Sequence, residues 1–192
     1  PLDDLRGQPT ILSPEWGNGA EPGHSRRIYE EMYCRASAEW VAAGHSTHLI
    51  CQLPHDRAAL DTWFWLGFGM MAADGVRDLS PAQGPAAEVD IRRAGRQDIG
   101  PVLALARALD RHLAAAPIFL PHEASTREAH EAWLADPARA LWLAEDASGV
   151  LGFMKQGPAS TDACMVIRDD GTSSIVGAYT RQDVRGHGVG AA

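Results

Sequence analysis

The chain has 192 residues, 45% of them hydrophobic and 22% charged, which is the balance of an ordinary globular protein. That length suits one large domain or parts of two small ones. A net charge of −8 excludes a broad basic face for a nucleic acid, and no apolar run approaches the roughly 18 residues of a membrane span. The three cysteines, Cys34, Cys51 and Cys164, are scattered and form no CxxC pair, so they read as reduced thiols in a cytoplasmic protein. The chain opens at Pro1 without a leader pattern and stops at Ala192 just after a glycine-rich run. Both ends read as cuts, making an internal fragment of a longer protein the expectation and a proteolysed or engineered chain the alternative.

The first clear element is a helix from about Ser25 to Ala43. Ser25 is placed to cap it, Ile28, Met32, Ala36, Trp40 and Val41 lie near one face, and Gly44 stops it. His45 to Leu53 reads as a short strand around Leu49-Ile50-Cys51. Asp56 can cap a second helix, Arg57 to Leu66, ending at Gly67, and Phe68 to Val76 reads as a strand weakened by Gly69 and Gly75. Residues 80–87, rich in Pro, Gly and Ala, form the best boundary in the chain. Beyond it Val89 to Arg92 alternates as a strand. Asp98 caps a long helix to Leu113, with Ile99, Val102, Leu103, Ala106, Leu109 and Leu113 on its buried face. A Pro-bounded loop near Pro117 to Pro121 leads to a helix over Arg127 to Leu134. Strands follow at Ala140–Glu145, Val150–Lys155 and Ser174–Thr180, the first two joined by the turn Asp146-Ala147-Ser148-Gly149. The run Ala163 to Ile167 is a further strand candidate.

The segment that carries chemistry is Val176-Gly177-Ala178-Tyr179-Thr180, a short polar turn, and then Arg185-Gly186-His187-Gly188-Val189-Gly190. A strand runs into a loop with three glycines, whose successive amides can cradle a phosphate because no Cβ holds the oxygens away. A nucleoside triphosphate loop would need Lys and Ser/Thr after the glycines, where Val189-Gly190-Ala191 stand, so that reading fails. A dinucleotide fingerprint fits Gly186-x-Gly188-x-x-Ala191 only loosely, since Arg181 to Arg185 separate it from the strand.

Arg185-x-x-Gly188-x-Gly190 resembles the (Gln/Arg)-x-x-Gly-x-(Gly/Ala) motif of the GNAT N-acetyltransferases, and the preceding Val176-Gly177-Ala178-Tyr179 resembles that family's strand before the loop. The order of elements over residues 88–180 also matches the family's first strand, two helices and next three strands. The resemblance implies a mixed α/β fold of the acyl-CoA N-acyltransferase (GNAT) type, incomplete or permuted here. It implies acetyl-CoA as co-substrate, with the amides of Arg185, Gly186, His187, Gly188, Val189 and Gly190 holding the pyrophosphate. Ala178, Tyr179 and Thr180 would lie beside the pantetheine, where a main-chain amide polarises the acetyl carbonyl. The implied reaction is direct transfer of an acetyl group to an amine, needing neither a metal nor an acyl-enzyme. Members often carry a Glu on this strand as base; this chain has none, leaving Tyr179 either a catalytic helper or an ordinary amphipathic strand tyrosine. The other reading is a non-catalytic acyl-CoA-binding or structural module.

Residues 26–76 resemble the family's other half through Trp40 to Gly44, His48-Leu49-Ile50, Ala59 to Phe64 and Leu66-Gly67-Phe68. Two arrangements stay open: a tandem protein, with 1–79 closing one copy, 80–87 a linker and 88–192 opening the next, or a permuted single domain. A small-molecule or peptide amine is the expected partner, with no nucleic acid or membrane and with a homodimer open. Glu123 is a candidate to face a cationic acceptor, or a solvated loop acid. His45-x-x-His48 lacks a partner cluster for a metal, and His55-Asp56 reads as a helix cap rather than a dyad. Cys34 and Cys51 read as core thiols. Of Trp63 and Trp65, two apart, one belongs in a core and the other borders an interface or groove.

Overall fold

The computed structural model describes residues 4–5, 8–80, 86–117, 124–159 and 171–192. They form a mixed α/β protein, as the sequence leads one to expect, in two compact units, one within residues 1–74 and the other within 75–192. Residues 81–85 of the expected linker, Glu123 and the strand candidate at 163–167 lie outside the described residues.

In the first unit, β1 (Asp4–Leu5) pairs antiparallel with β2 (Gln8–Ser13), and β2 runs parallel to β3 (Thr47–Ile50) in the register Thr10↔Thr47 to Ser13↔Ile50. A parallel pair cannot be closed by a hairpin, and the crossover is α1 (Ser25–Ala42). The sequence reading did not anticipate β2. It also misplaced the face of α1: Tyr29 is 1% exposed while Met32 and Val41 are exposed. The rings set that face, because Tyr29 and Tyr33 pack on Trp63 at centroid distances of 5.1 and 5.7 Å and Tyr33 also meets His48 and Phe68. Ser25 does not cap α1; it is buried inside the first turn, and His24 occupies the cap position without a side-chain bond.

α2 (Arg57–Trp65) is capped by Asp56, whose Oδ1 accepts from Ala59 N at 3.0 Å. Both helices end alike. Gly44 and Gly67 take φ of +92° and +94°, and the following His45 and Phe68 amides reach back to the Trp40 and Trp63 carbonyls. That closure folds Phe68 onto Trp63, 5.2 Å away, so the expected strand Phe68 to Val76 does not form. Trp63 is 7% exposed and Trp65 75%, which assigns the two tryptophans to core and surface. Cys34 is exposed and Cys51 only partly buried, correcting the core-thiol reading, because each lies beside rather than under the aromatic cluster.

The second unit is an antiparallel sheet of β4 (Asp90–Arg93), β5 (Ala140–Asp146), β6 (Gly149–Pro158) and β7 (Ser173–Thr180), in that order. α3 (Ile99–Ala114) and α4 (Arg127–Ala135) pack on one face. Val102, Leu105, Ala106, Leu141, Leu143 and Phe153 form the core there, with Trp133, Leu134 and Tyr179 at its margin. Leu113 is exposed, and Leu105 takes the buried place the periodicity gave to Leu103.

Asp98 does not cap α3. It ends a short 3-10 turn, accepts from Gly95 N at 2.8 Å, and receives both Arg92 Nη groups at 2.9 Å. Arg92 also grips Glu145 through Nε and Nη2, at 2.7 and 2.8 Å, so one guanidinium ties β4, β5 and the start of α3 together. This pairing holds the Asp98 and Glu145 carboxyls below the usual carboxylate range.

Candidate functional site

The glycine loop begins where β7 ends. β7 is the edge strand of its sheet, pairing with β6 along one side in the register Phe153↔Tyr179 and Gly152↔Thr180. Gly152 permits this approach, since a Cβ there would lie 2.8 Å from the Tyr179 carbonyl oxygen. Arg181 N continues the ladder to Leu151 O at 2.8 Å, and a 3-10 turn over Gln182–Val184 then swings the chain off the sheet.

The loop is anchored from below and open above. Val189 is 8% exposed and packs with Ala144, Leu151 and Val184. Gly188 O accepts from both Ala87 N and Ala191 N, at 3.2 and 3.0 Å. Gly186 and Gly188 sit at φ of +79° and +84°, the left-handed region that side chains disfavour, and a Cβ on Gly186 or Gly190 would meet nothing within 4 Å. The loop's own backbone bonds run from Val184 N to Arg181 O, Arg185 N to Gln182 O and Ala191 N to Gly188 O. They fall at its two ends and leave the amides of the glycine run for another acceptor. A short 3-10 turn, Val189–Ala191, follows.

The charges around the loop are sorted. Arg181 bonds Asp183 through two nitrogens, which holds that carboxyl below its usual range. Arg185 is exposed, donates Nε to Thr180 O at 3.1 Å and lies 5.0 Å above the Tyr179 ring. No carboxylate among the described residues pairs with it, so its charge faces outward beside the glycine amides. Such a concavity, with aligned N–H groups and one guanidinium, suits an anion of phosphate type.

The residues singled out from the sequence therefore gather at one end of β7. Ala178 is exposed, Tyr179 and Thr180 are partly buried, and Gly186, His187 and Gly190 face solvent. Tyr179 is packed against the aliphatic core and beneath Arg185. Elsewhere, His48 is held by the Tyr33 hydroxyl at 3.0 Å and the Trp40 ring, and among the described residues no group of three His, Cys, Asp or Glu is arranged to hold a metal. Sequence reasoning missed a buried polar group on the helix-covered face of this sheet. His130 is 1% exposed, with Nδ1 2.8 Å from Thr126 O, and Lys155 lies against Trp133. The Thr126-to-His130 spacing of four was the available signal.

No protein-family model and no curated protein matches the chain. Among solved structures it is similar to an acetyltransferase from Vibrio fischeri, at 19% identity over 52% of this chain and 75% of that one, with a TM-score of 0.38. It is similar too to a ribosomal-protein-alanine N-acetyltransferase from Brucella melitensis, at 21% identity over 52% of this chain and 59% of that one, with a TM-score of 0.39. An integron cassette protein from the mobile metagenome of V. cholerae follows, at 14% identity over 55% of this chain and 62% of that one, with a TM-score of 0.35.

Proposed function

We propose that this chain is part of a GNAT-type N-acetyltransferase and that the loop from Arg185 to Gly190 holds the pyrophosphate of acetyl-CoA. The observation that carries this reading is the pair of left-handed glycines, Gly186 and Gly188, opening their amides beside an exposed Arg185 at the end of an edge strand. The cradle fits the group: glycines stand where side chains would intrude, and the guanidinium supplies the matching charge. When bound, acetyl-CoA supplies an acyl group already activated as a thioester. The chain's residues bind and orient it: the loop amides and Arg185 take the diphosphate, and the free edge of β7 at Ala178 to Thr180 offers backbone groups to the pantetheine amides.

In this reading the acceptor is a small-molecule or peptide amine, and the protein works in the cytoplasm with its cysteines reduced. The first unit, with its parallel pair and crossover helix, is the closing half of one copy, and the second unit opens the next. A non-catalytic acyl-CoA-binding module is the second reading. It is favoured by the absence of any carboxylate on β7 and by the engagement of Tyr179 with Arg185 and the core.

Calorimetric titration with CoA and acetyl-CoA, with Gly188→Glu alongside, tests the cradle. The substitution forces a side chain into a left-handed position and puts a carboxylate among the phosphate donors, so binding by the wild type should be lost in the variant. Equal binding by both would remove the pyrophosphate from this loop. Transfer to a panel of amines then separates enzyme from binding module.

A further inference from the structure

The chain carries seventeen basic residues, and Lys155 is the only lysine among them. Arginine stays protonated at any pH a protein survives, whereas a lysine amine can lose its proton and become a nucleophile. The two residue types also stand in different surroundings. Arg26, Arg27, Arg92, Arg127, Arg139 and Arg181 each hold a carboxylate. Among the described residues no carboxylate bridges Lys155.

Lys155 lies on the helix-covered face of β6, opposite Gly177 of β7, and is partly buried. Its stem runs past the glycine, where a Cβ would come 4.0 Å from Lys155 Cδ. Its Nζ stands 5.1 Å from the centroid of Trp133, a ring fixed by its own bond from Nε1 to Ala140 O at 3.1 Å. Arg139 occupies the same ring at 4.5 Å, so two cations share one indole. The charged and titratable groups around the amine are Asp110 from α3, His130 from α4 and Arg139 at the start of β5. Burial holds the Lys155 amine below the usual lysine range; Asp110 opposes that shift and Arg139 adds to it. Asp110 is meanwhile engaged by the Ser125 amide and hydroxyl, at 2.7 and 3.1 Å.

We propose that Lys155 is an acylation site, whose Nζ takes an acyl group from an acyl thioester. The Nζ lone pair attacks the thioester carbonyl carbon, a C–N bond forms, and the C–S bond breaks with its electron pair leaving on sulfur. The proton shed by nitrogen goes to solvent or to the thiolate, giving an amide and a free thiol. The product has lost the one lysine charge in the chain and leaves Arg139 alone on the Trp133 ring.

The test is a competition in the intact chain. The wild type is incubated at pH 7 with acetyl-CoA, or separately with the S-acetyl thioester of N-acetylcysteamine, in the presence of Nα-acetyl-lysine amide. Peptide mapping by mass spectrometry locates and counts acetyl groups, and Lys155→Arg, checked for native circular dichroism, marks the background. Lys155 should react roughly tenfold faster per amine than the competitor, with the advantage fading as pH approaches the ordinary lysine range. An advantage with the small thioester supports the site independently of the glycine loop. An advantage with acetyl-CoA alone, lost in Gly188→Glu, supports it and makes the cradle its delivery route. Parity or a disadvantage with both donors overturns the proposal, and the CoA titration still reports on the loop by itself.

Discussion

The two units solve the same problem with different side chains. The first has a parallel pair only four residues long, too narrow to bury much by itself, and it is held by rings. Tyr29, Tyr33, Trp40, His48, Trp63 and Phe68 meet edge-on or tilted at centroid distances of 5.0 to 6.3 Å. The second has four antiparallel strands and an aliphatic core spread over α3, β5 and β6. A ring buries roughly 150–250 Å² in one residue and gains further from edge-to-face contact, so a small unit can be closed by few positions. An aliphatic core shares the load over many. The lesson is one of concentration: loss of one side chain should hurt the first unit more than the second.

Trp63→Ala is the sharpest way to break that contrast. The indole touches Tyr29, Tyr33 and Phe68 and donates to Gln52 Oε1 at 3.3 Å. Its removal should cost about 4 kcal/mol, read as lost amide-exchange protection in β2, β3 and α1. Leu143→Ala, at a position 1% exposed, should cost about 3 kcal/mol through a cavity that its aliphatic neighbours partly fill. Equal effects in local exchange would end the distinction between a concentrated and a shared core.

What could be read from the sequence divides along the same line. The second unit's strand order, its hairpin at Asp146–Gly149 and the glycine loop were legible because each signal is local: alternation, a turn and glycine spacing. Asp56 as a cap was legible for that reason too. In the first unit the organising contacts are distant. β2 escaped notice because it is short, carries Pro9, and finds its partner at Thr47–Ile50 only after a helix intervenes. The apolar run after Phe68 looked like a strand, but a strand needs an edge to pair with, and the Gly67 closure spends Phe68 on Trp63 instead. Met32 and Val41 fit a helical period as well as Tyr29 does; only the facing rings decide between them. Lys155 was invisible for a similar reason. Its setting comes from Trp133 on another element, and no spacing within β6 announces it.

A smaller effect probes how α4 is held on the sheet. Thr126 caps the helix by accepting from Ala129 N at 3.2 Å, and its carbonyl meets His130 Nδ1. Thr126→Ala should cost about 1 kcal/mol, the ordinary value of a lost cap, seen as a lower denaturation midpoint with an unchanged slope. Thr126→Ser, which keeps the hydroxyl, should recover most of it. A much larger loss would mean that the carbonyl's bond to His130 depends on the cap.

The smallest effect is a pH dependence, and it isolates His130. The ring is buried, and that burial sets its pKa below the ordinary histidine value, outweighing the opposing help from the Thr126 carbonyl; nearby Lys155 adds to the lowering and Asp110 resists it. The folded state therefore binds its proton less readily than the unfolded chain does. Above the unfolded value, about 6.5, the ring is neutral in both states and costs nothing. As pH falls from there toward the folded value, the unfolded chain takes up a proton that the native ring refuses, and stability declines; below the folded value the loss is complete and constant. With a single proton involved, the slope cannot exceed about 1.4 kcal/mol per pH unit. Urea midpoints for the second unit should drop between pH 7.5 and 5, and His130→Gln should remove that part of the slope while leaving the first unit's response unchanged. If the variant keeps the full slope, the proton that matters binds elsewhere, and the buried ring is only a packing element of the more evenly shared core.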